Sequence, residues 1–210
     1  MKYSEFREQV KGRPYFRSNL FPHLTNNPDY LRRQLVDWKQ KGLVKQLKRG
    51  MYALNKEDSS VGLSSYFLAN ELYSPSYISL ESALSFYNII PERTSMITSV
   101  TSKKQQEFKN DYGNFKYFHL NPSLYGNYVK IKDEFGFWFK IASREKAIID
   151  FLYFKLPAYK IIDKDIFEES FRFQNIENLN NEKLLSIAAK FRNKKLFNLV
   201  LLLIEYLDEQ

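Results

Sequence analysis

Glu92 and, further along, Glu107-Phe108-Lys109 are residues whose types and order could do chemistry. Two carboxylates and a lysine in this order suit a metal-dependent nuclease, in which the acids hold magnesium and the amine positions the attacking water. That chemistry needs the Glu-x-Lys on a core strand. The surrounding TSKKQQEFKND is polar and reads as a loop, so a solvated charge run is the better description of a short, degenerate pattern. A second cluster is Glu145, Lys146 and Asp150 in SREKAIIDFLY. Lys146 and Asp150 are four residues apart on one helix face, where an exposed pair adds only about 0.3 kcal/mol. His23 and His119 have no nucleophile motif beside them, and the absence of cysteine excludes disulfides, thiol catalysis and Cys-based metal centres. Gly113, Gly126 and Gly136 stand alone, so no phosphate-binding loop is present. No catalytic residue, metal or cofactor is expected, and an enzyme is not the expected class.

Charge distribution points elsewhere. Residues 1–56 hold 13 Lys/Arg and 4 Asp/Glu, a net of +9, whereas the other 154 residues hold 19 and 20. One end alone is built to meet a polyanion. Within it, NPDYLRRQLVDWKQKG has Asn27 for an N-cap, Pro28 for the first helical position and Gly42 for the stop. Leu31, Leu35 and Trp38 recur at i, i+4, i+7 and form a buried stripe. Arg33, Val36 and Gln40 lie roughly opposite with Arg32 on a flank, the division a recognition helix needs to read base edges in the major groove. Val44–Leu47 and Met51–Leu54 read as a hairpin turned by Lys48-Arg49-Gly50, with Lys45, Lys48 and Arg49 placed to meet phosphates. With helices expected over Ser4–Val10 and Phe16–Leu24, residues 1–56 are predicted to be a winged helix-turn-helix that binds DNA.

Asn55–Gly62 is polar and turn-rich and reads as a linker. Beyond it the expectation is an α+β domain over residues 63–210. Helices are expected at Leu63–Tyr73, Ser79–Tyr87 and Ser143–Phe154, and strands at Met96–Thr101, Phe115–Leu120, Tyr128–Lys132 and Phe135–Ile141. These make a small, mainly antiparallel sheet. A helical end follows from about residue 163, at Asp165–Phe173, Asn181–Phe191 and Lys194–Leu207, the last apolar on nearly every side. The longest apolar run, Leu199–Ile204, is far below the ~20 residues of a membrane span, and a cytoplasmic protein is expected.

The blocks SPSYISLESALSFYNIIPE, ITSVTSKK, GNFKYFHL and IASREKAIIDFLY, with GLVKQLKRGMYAL before them, resemble the AbiEi-type antitoxin family of bacterial type IV toxin–antitoxin systems. Residue 88 is Asn where the resemblance leads one to expect Gly. The resemblance implies a repressor–antitoxin whose winged helix binds inverted repeats in double-stranded DNA at its own operon promoter. It further implies a functional partner, a toxin of the nucleotidyltransferase class, opposed without a stable complex. Lys103, Lys104, Glu145 and Lys146 are then candidates for an exposed antitoxin surface. Two alternatives stand beside this reading: a transcription factor with a ligand-sensing or dimerisation domain, and a magnesium nuclease using Glu92, Glu107 and Lys109.

Overall fold

The computed structural model describes residues 1–92, 94–159 and 163–209. The chain is mixed α+β, with a small antiparallel sheet of three strands, a larger sheet of six, and a helical C-terminal end.

The N-terminal part comprises α1 (Tyr3–Val10), β1 (Phe16–Arg17), α2 (Phe21–Leu24), α3 (Pro28–Gln40), β2 (Val44–Lys48) and β3 (Met51–Leu54). The expected helix over Phe16–Leu24 is therefore divided. Phe16 and Arg17 pair with Tyr52 and Met51, and a 3₁₀ turn at Ser18–Leu20 leads into α2. The strand order is β1-β3-β2, antiparallel throughout. Phe6, Val10, Phe16, Phe21, Leu31, Leu35, Trp38, Val44 and Leu54 close one hydrophobic core.

The faces of β3 alternate between two cores. Tyr52 and Leu54 pack with the N-terminal helices, while Met51 and Ala53, together with Leu47 of β2, belong to the core of the larger part. β3 is thus covered on both faces, and Arg49 at the turn is the exposed cation of the hairpin. The linker is also held. Asp58 accepts from the Tyr3 hydroxyl at 2.7 Å, and Ser60 donates its N–H and its hydroxyl to the Lys11 carbonyl.

The larger part begins with α4 (Ser65–Leu72), capped by Ser64, whose hydroxyl accepts from the Phe67 N–H. Its sheet runs β6 (Gln106–Asn110), β7 (Gly113–His119), β5 (Met96–Thr101), β4 (Ser76–Ile78), β9 (Trp138–Ala142) and β8 (Tyr128–Lys132). Three pairings are antiparallel and two, β5–β7 and β4–β9, are parallel. Six strands exceed the small sheet expected. β4 escaped sequence reading because three buried residues show no period, and β6 because its alternation is polar at an edge.

α5 (Leu80–Phe86) and α6 (Arg144–Lys155) pack against this sheet. α5 ends at Asn88, whose backbone is left-handed at φ 56°, while the Ile89 N–H turns back to the Leu84 carbonyl. Gly fits such a position best and Asn next, which explains the residue found there. α6, capped by Ser143, is buried almost all round from Glu145 to Leu152. The expected helix at Asp165–Phe173 is a single π-turn at Ile166–Ser170, and α7 (Asn181–Lys190) and α8 (Lys194–Asp208) complete the chain. α8 buries Leu196, Leu199, Val200 and Leu203 in the common core. No helix among the described residues is long and apolar enough to cross a membrane.

Candidate nucleic-acid interface

α3 forms where its punctuation places it. The Asn27 Oδ1 accepts from the Tyr30 N–H at 3.0 Å, Pro28 needs no donor there, and Gly42 turns the chain at φ 73°. Leu31, Leu35 and Trp38 are buried, so the opposite side is fixed outward. Arg32, Arg33, Val36 and Gln40 are all exposed, as are Tyr30 and Lys39. Val36 is 54% exposed, a large apolar side chain left in solvent between cationic neighbours. Arg32 pairs with Asp29 one turn back, which aligns its guanidinium along the first half of the helix. Lys39 donates to Gln46 Oε1 at 3.0 Å and ties α3 to β2.

The hairpin departs from expectation. Lys45 pairs with Asp111 at 2.8 Å, and that carboxylate holds its ammonium above the usual lysine pKa. Lys48 turns inward. Its Nζ donates to the Leu72 carbonyl and lies 5.9 Å from the centre of the Phe108 ring. Burial lowers its pKa, and Arg17 and Lys103 add to the effect. Lys48 is therefore a tether between the hairpin and α4 rather than a free phosphate contact. Arg49 is exposed at the turn, with Gly50 at φ 76° beside it. Asn110 Nδ2 donates to the Leu47 carbonyl, and Glu71 receives the Tyr15 hydroxyl and pairs with Arg17 at 3.6 Å.

Of the proposed antitoxin surface, Lys103 and Lys104 are exposed, and Lys103 donates to the Ser74 carbonyl. Glu145 and Lys146 are not surface residues. Glu145 accepts from Ser143 Oγ at 3.0 Å and from Lys183 Nζ at 2.6 Å. Burial acts to raise its pKa, but these donors outweigh it and hold the carboxyl low. Lys146 is fully buried and pairs with Asp150 at 2.6 Å. Tyr77 and Ser79 donate to the other carboxylate oxygen of Asp150 at 2.9 and 2.8 Å, and Lys146 also donates to the Leu124 carbonyl. Burial raises the Asp150 pKa against the pull of Lys146. Sequence reading named Lys146 and Asp150 but treated their pair as exposed. It missed Tyr77 and Ser79, for which no local signal exists, since both reach Asp150 across more than seventy residues. The cluster has the groups for acid–base chemistry, but Lys146, Asp150, Tyr77 and Ser79 are all fully buried, so a substrate has no access to them. It fastens α6 to β4.

The acidic pattern is dispersed. Glu107 and Lys109 lie on β6, a strand rather than the expected loop, and both are exposed. Glu107 pairs with Lys116 and Glu92 with Arg172, so different elements hold the two carboxylates. No group of three or more His, Asp or Glu among the described residues could hold a metal. His23 and His119 are exposed, and the His119 Nδ1 meets the Lys103 carbonyl at 2.8 Å. No protein-family model matches the chain, and no curated protein matches it.

Proposed function

We propose that the chain is a DNA-binding repressor that also acts as an antitoxin, of the AbiEi type its sequence resembles. In this reading residues 1–56 are a winged helix-turn-helix, and α3 enters the major groove of the operon promoter. Arg32, Arg33, Val36 and Gln40 read base edges, and Arg49, with Lys45 if it is released from Asp111, meets the backbone. The larger part opposes a nucleotidyltransferase-class toxin without a catalytic step of its own.

One observation carries the DNA reading. α3 is anchored by Leu31, Leu35 and Trp38 and holds a solvent-facing set of arginines with an exposed valine between them. Arginines on that face can bond guanine edges and phosphates, and Val36 beside them can meet a thymine methyl. The antitoxin reading rests on the sequence resemblance.

Fluorescence anisotropy with the DNA upstream of the gene tests the first part. Binding should be sequence-specific and lost in Arg32→Ala/Arg33→Ala; equal affinity for unrelated DNA would reject it. Co-expression with a nucleotidyltransferase toxin encoded beside the gene tests the second. The full chain carrying the two arginine changes should still rescue growth. Failure of the unmodified chain to rescue would reject the antitoxin role. The intact chain is the proper reagent, because removing residues 1–62 would strip Leu47, Met51 and Ala53 from the larger core.

A further inference from the structure

β4 and β9 are neighbours in the sheet but pair only at Ile78 and Ile141. Beyond that point they part, and a cleft of about 610 Å³ opens between them. Asn70, Glu71, Ser76, Lys130, Trp138 and Lys140 are among the residues that line it. The volume falls within the range of small-molecule sites, roughly 300–1,000 Å³.

Two buried groups in this cleft lack hydrogen bonds. Asn70 Oδ1 accepts the Lys140 N–H at 2.5 Å, in place of the strand partner that β4 no longer supplies. This bond fixes which end of the amide is oxygen. The Asn70 Nδ2 is buried and has no partner among the described residues, and neither has Ser76 Oγ, in a residue only 2% exposed. An unsatisfied buried donor is costly, and these two, in residues that line the cleft, would gain partners from a polar molecule that enters between β4 and β9.

The cleft wall is cationic and aromatic. Lys130 stands directly opposite Lys140, and Lys132 opposite Trp138, so all four side chains share one face of the β8–β9 pair. Like charges placed across a strand pair repel, and none of these lysines has an acidic partner among the described residues. Edge lysines alone could serve to prevent strand-to-strand association. That role does not require Trp138, 57% exposed with Lys132 Nζ 5.2 Å from its ring centre, or the unsatisfied amide and hydroxyl. Glu71, the only acid among the described residues of the wall, is engaged by Tyr15 and Arg17.

We propose that this cleft binds a nucleotide. Its base stacks on Trp138, its phosphates pair with Lys130 and Lys140, and Asn70 and Ser76 bond its remaining polar atoms. The site lies away from α3 and stands independently of the promoter reading. Either a free nucleotide or one unit of a single strand has this chemistry.

The full chain is titrated with each ribonucleoside triphosphate, with inorganic tripolyphosphate and with a short single-stranded RNA, following tryptophan fluorescence and heat. Trp38 is buried, so Trp138 is the responsive reporter. A nucleoside triphosphate should quench saturably and bind about tenfold tighter than tripolyphosphate, a difference the base supplies. Lys130→Gln/Lys140→Gln should weaken it by about tenfold or more. Ser76→Ala should weaken it severalfold while leaving the melting temperature unchanged, which separates ligand loss from unfolding. RNA binding that survives Arg32→Gln/Arg33→Gln and is competed by mononucleotide identifies a strand as the occupant; mononucleotide binding without RNA binding identifies the free form. Equal affinity for tripolyphosphate, no saturable response to any probe, or indifference to the double lysine change overturns the proposal.

Discussion

Lys48, at the end of the β2 strand, donates its ammonium to the backbone carbonyl of Leu72 at the end of α4. Three further contacts cross the same boundary: Lys45 with Asp111, Asn110 with the Leu47 carbonyl, and Arg17 with Glu71. With Leu47, Met51 and Ala53 in the larger core, the hairpin is a shared wall between the two parts. Lys45 and Lys48 on this hairpin therefore have internal partners before any external one, whereas Arg49 at the turn is exposed.

Asp111→Asn follows directly. It frees Lys45 and removes a negative charge from beside the proposed phosphate path. DNA affinity should rise severalfold at low salt, and the slope of log affinity against log salt should steepen by about one. An unchanged slope in a salt titration would show that β2 does not approach the duplex.

Arg33 and Arg49 should separate reading from positioning. Arg33→Ala is expected to cost about 1–3 kcal/mol on the promoter site and relax its specificity. Arg49→Ala should weaken all sequences alike and reduce the salt slope by about one. Competition binding with scrambled DNA distinguishes the two. Equivalent behaviour of both variants would place base reading elsewhere than α3.

The buried pair in α6 makes a stability prediction. Lys146→Met leaves the Asp150 carboxylate enclosed without its cation and should cost about 3–5 kcal/mol in urea unfolding. Adding Asp150→Asn should recover part of that loss, because the amide removes the buried charge and still accepts from Tyr77 or Ser79. A double variant no more stable than Lys146→Met would mean that the charge pair contributes nothing beyond its volume.

α3 was legible because its cap, its Pro and its apolar stripe are all local. Met96–Thr101 and Tyr128–Lys132 were legible as strands for the same reason. The hairpin was found with its ends nearly right, yet its environment was not. Nothing in KQLKRGMYA tells that Leu47 and Met51 face a second core, or that Lys48 faces a carbonyl. Glu145 and Lys146 were misplaced for a related cause. A charged pair at i, i+4 looks solvated until Tyr77, Ser79 and Leu124 arrive from distant segments to satisfy it. The β4–β9 cleft had no signature at all, since it exists only where two strands diverge.

Asn88 offers a test confined to one backbone angle. At φ 56° a side chain pays a conformational penalty that glycine avoids. Asn88→Gly should therefore be neutral or stabilising by up to about 1 kcal/mol, and Asn88→Val should destabilise by about 1–2 kcal/mol. The contact from Asn175 Nδ2 goes to the Asn88 carbonyl and survives both changes. Thermal melts of the two variants would measure the difference; Val tolerated as well as Gly would mean that α5 does not end in a left-handed turn.

Alkaline pH should divide the tyrosines into classes. In an unfolded chain they ionise near 10. Burial pushes Tyr87 and Tyr125 up to about 12, with Glu145 adding to the first and Tyr128 to the second. Tyr77, enclosed beside Asp150, is raised well beyond its ordinary value. The folded state thus holds protons that the unfolded state releases, so this contribution is complete below pH ~10 and is lost progressively as pH rises toward 12. Tyrosinate absorbance should show an early phase near the ordinary tyrosine value and a late one, from the buried rings, that coincides with loss of far-ultraviolet ellipticity. Tyr77→Phe should leave the early phase unchanged and diminish the late one. A single phase near pH 10 with the fold intact would contradict the burial of Tyr77, and with it the network that joins β4 to α6.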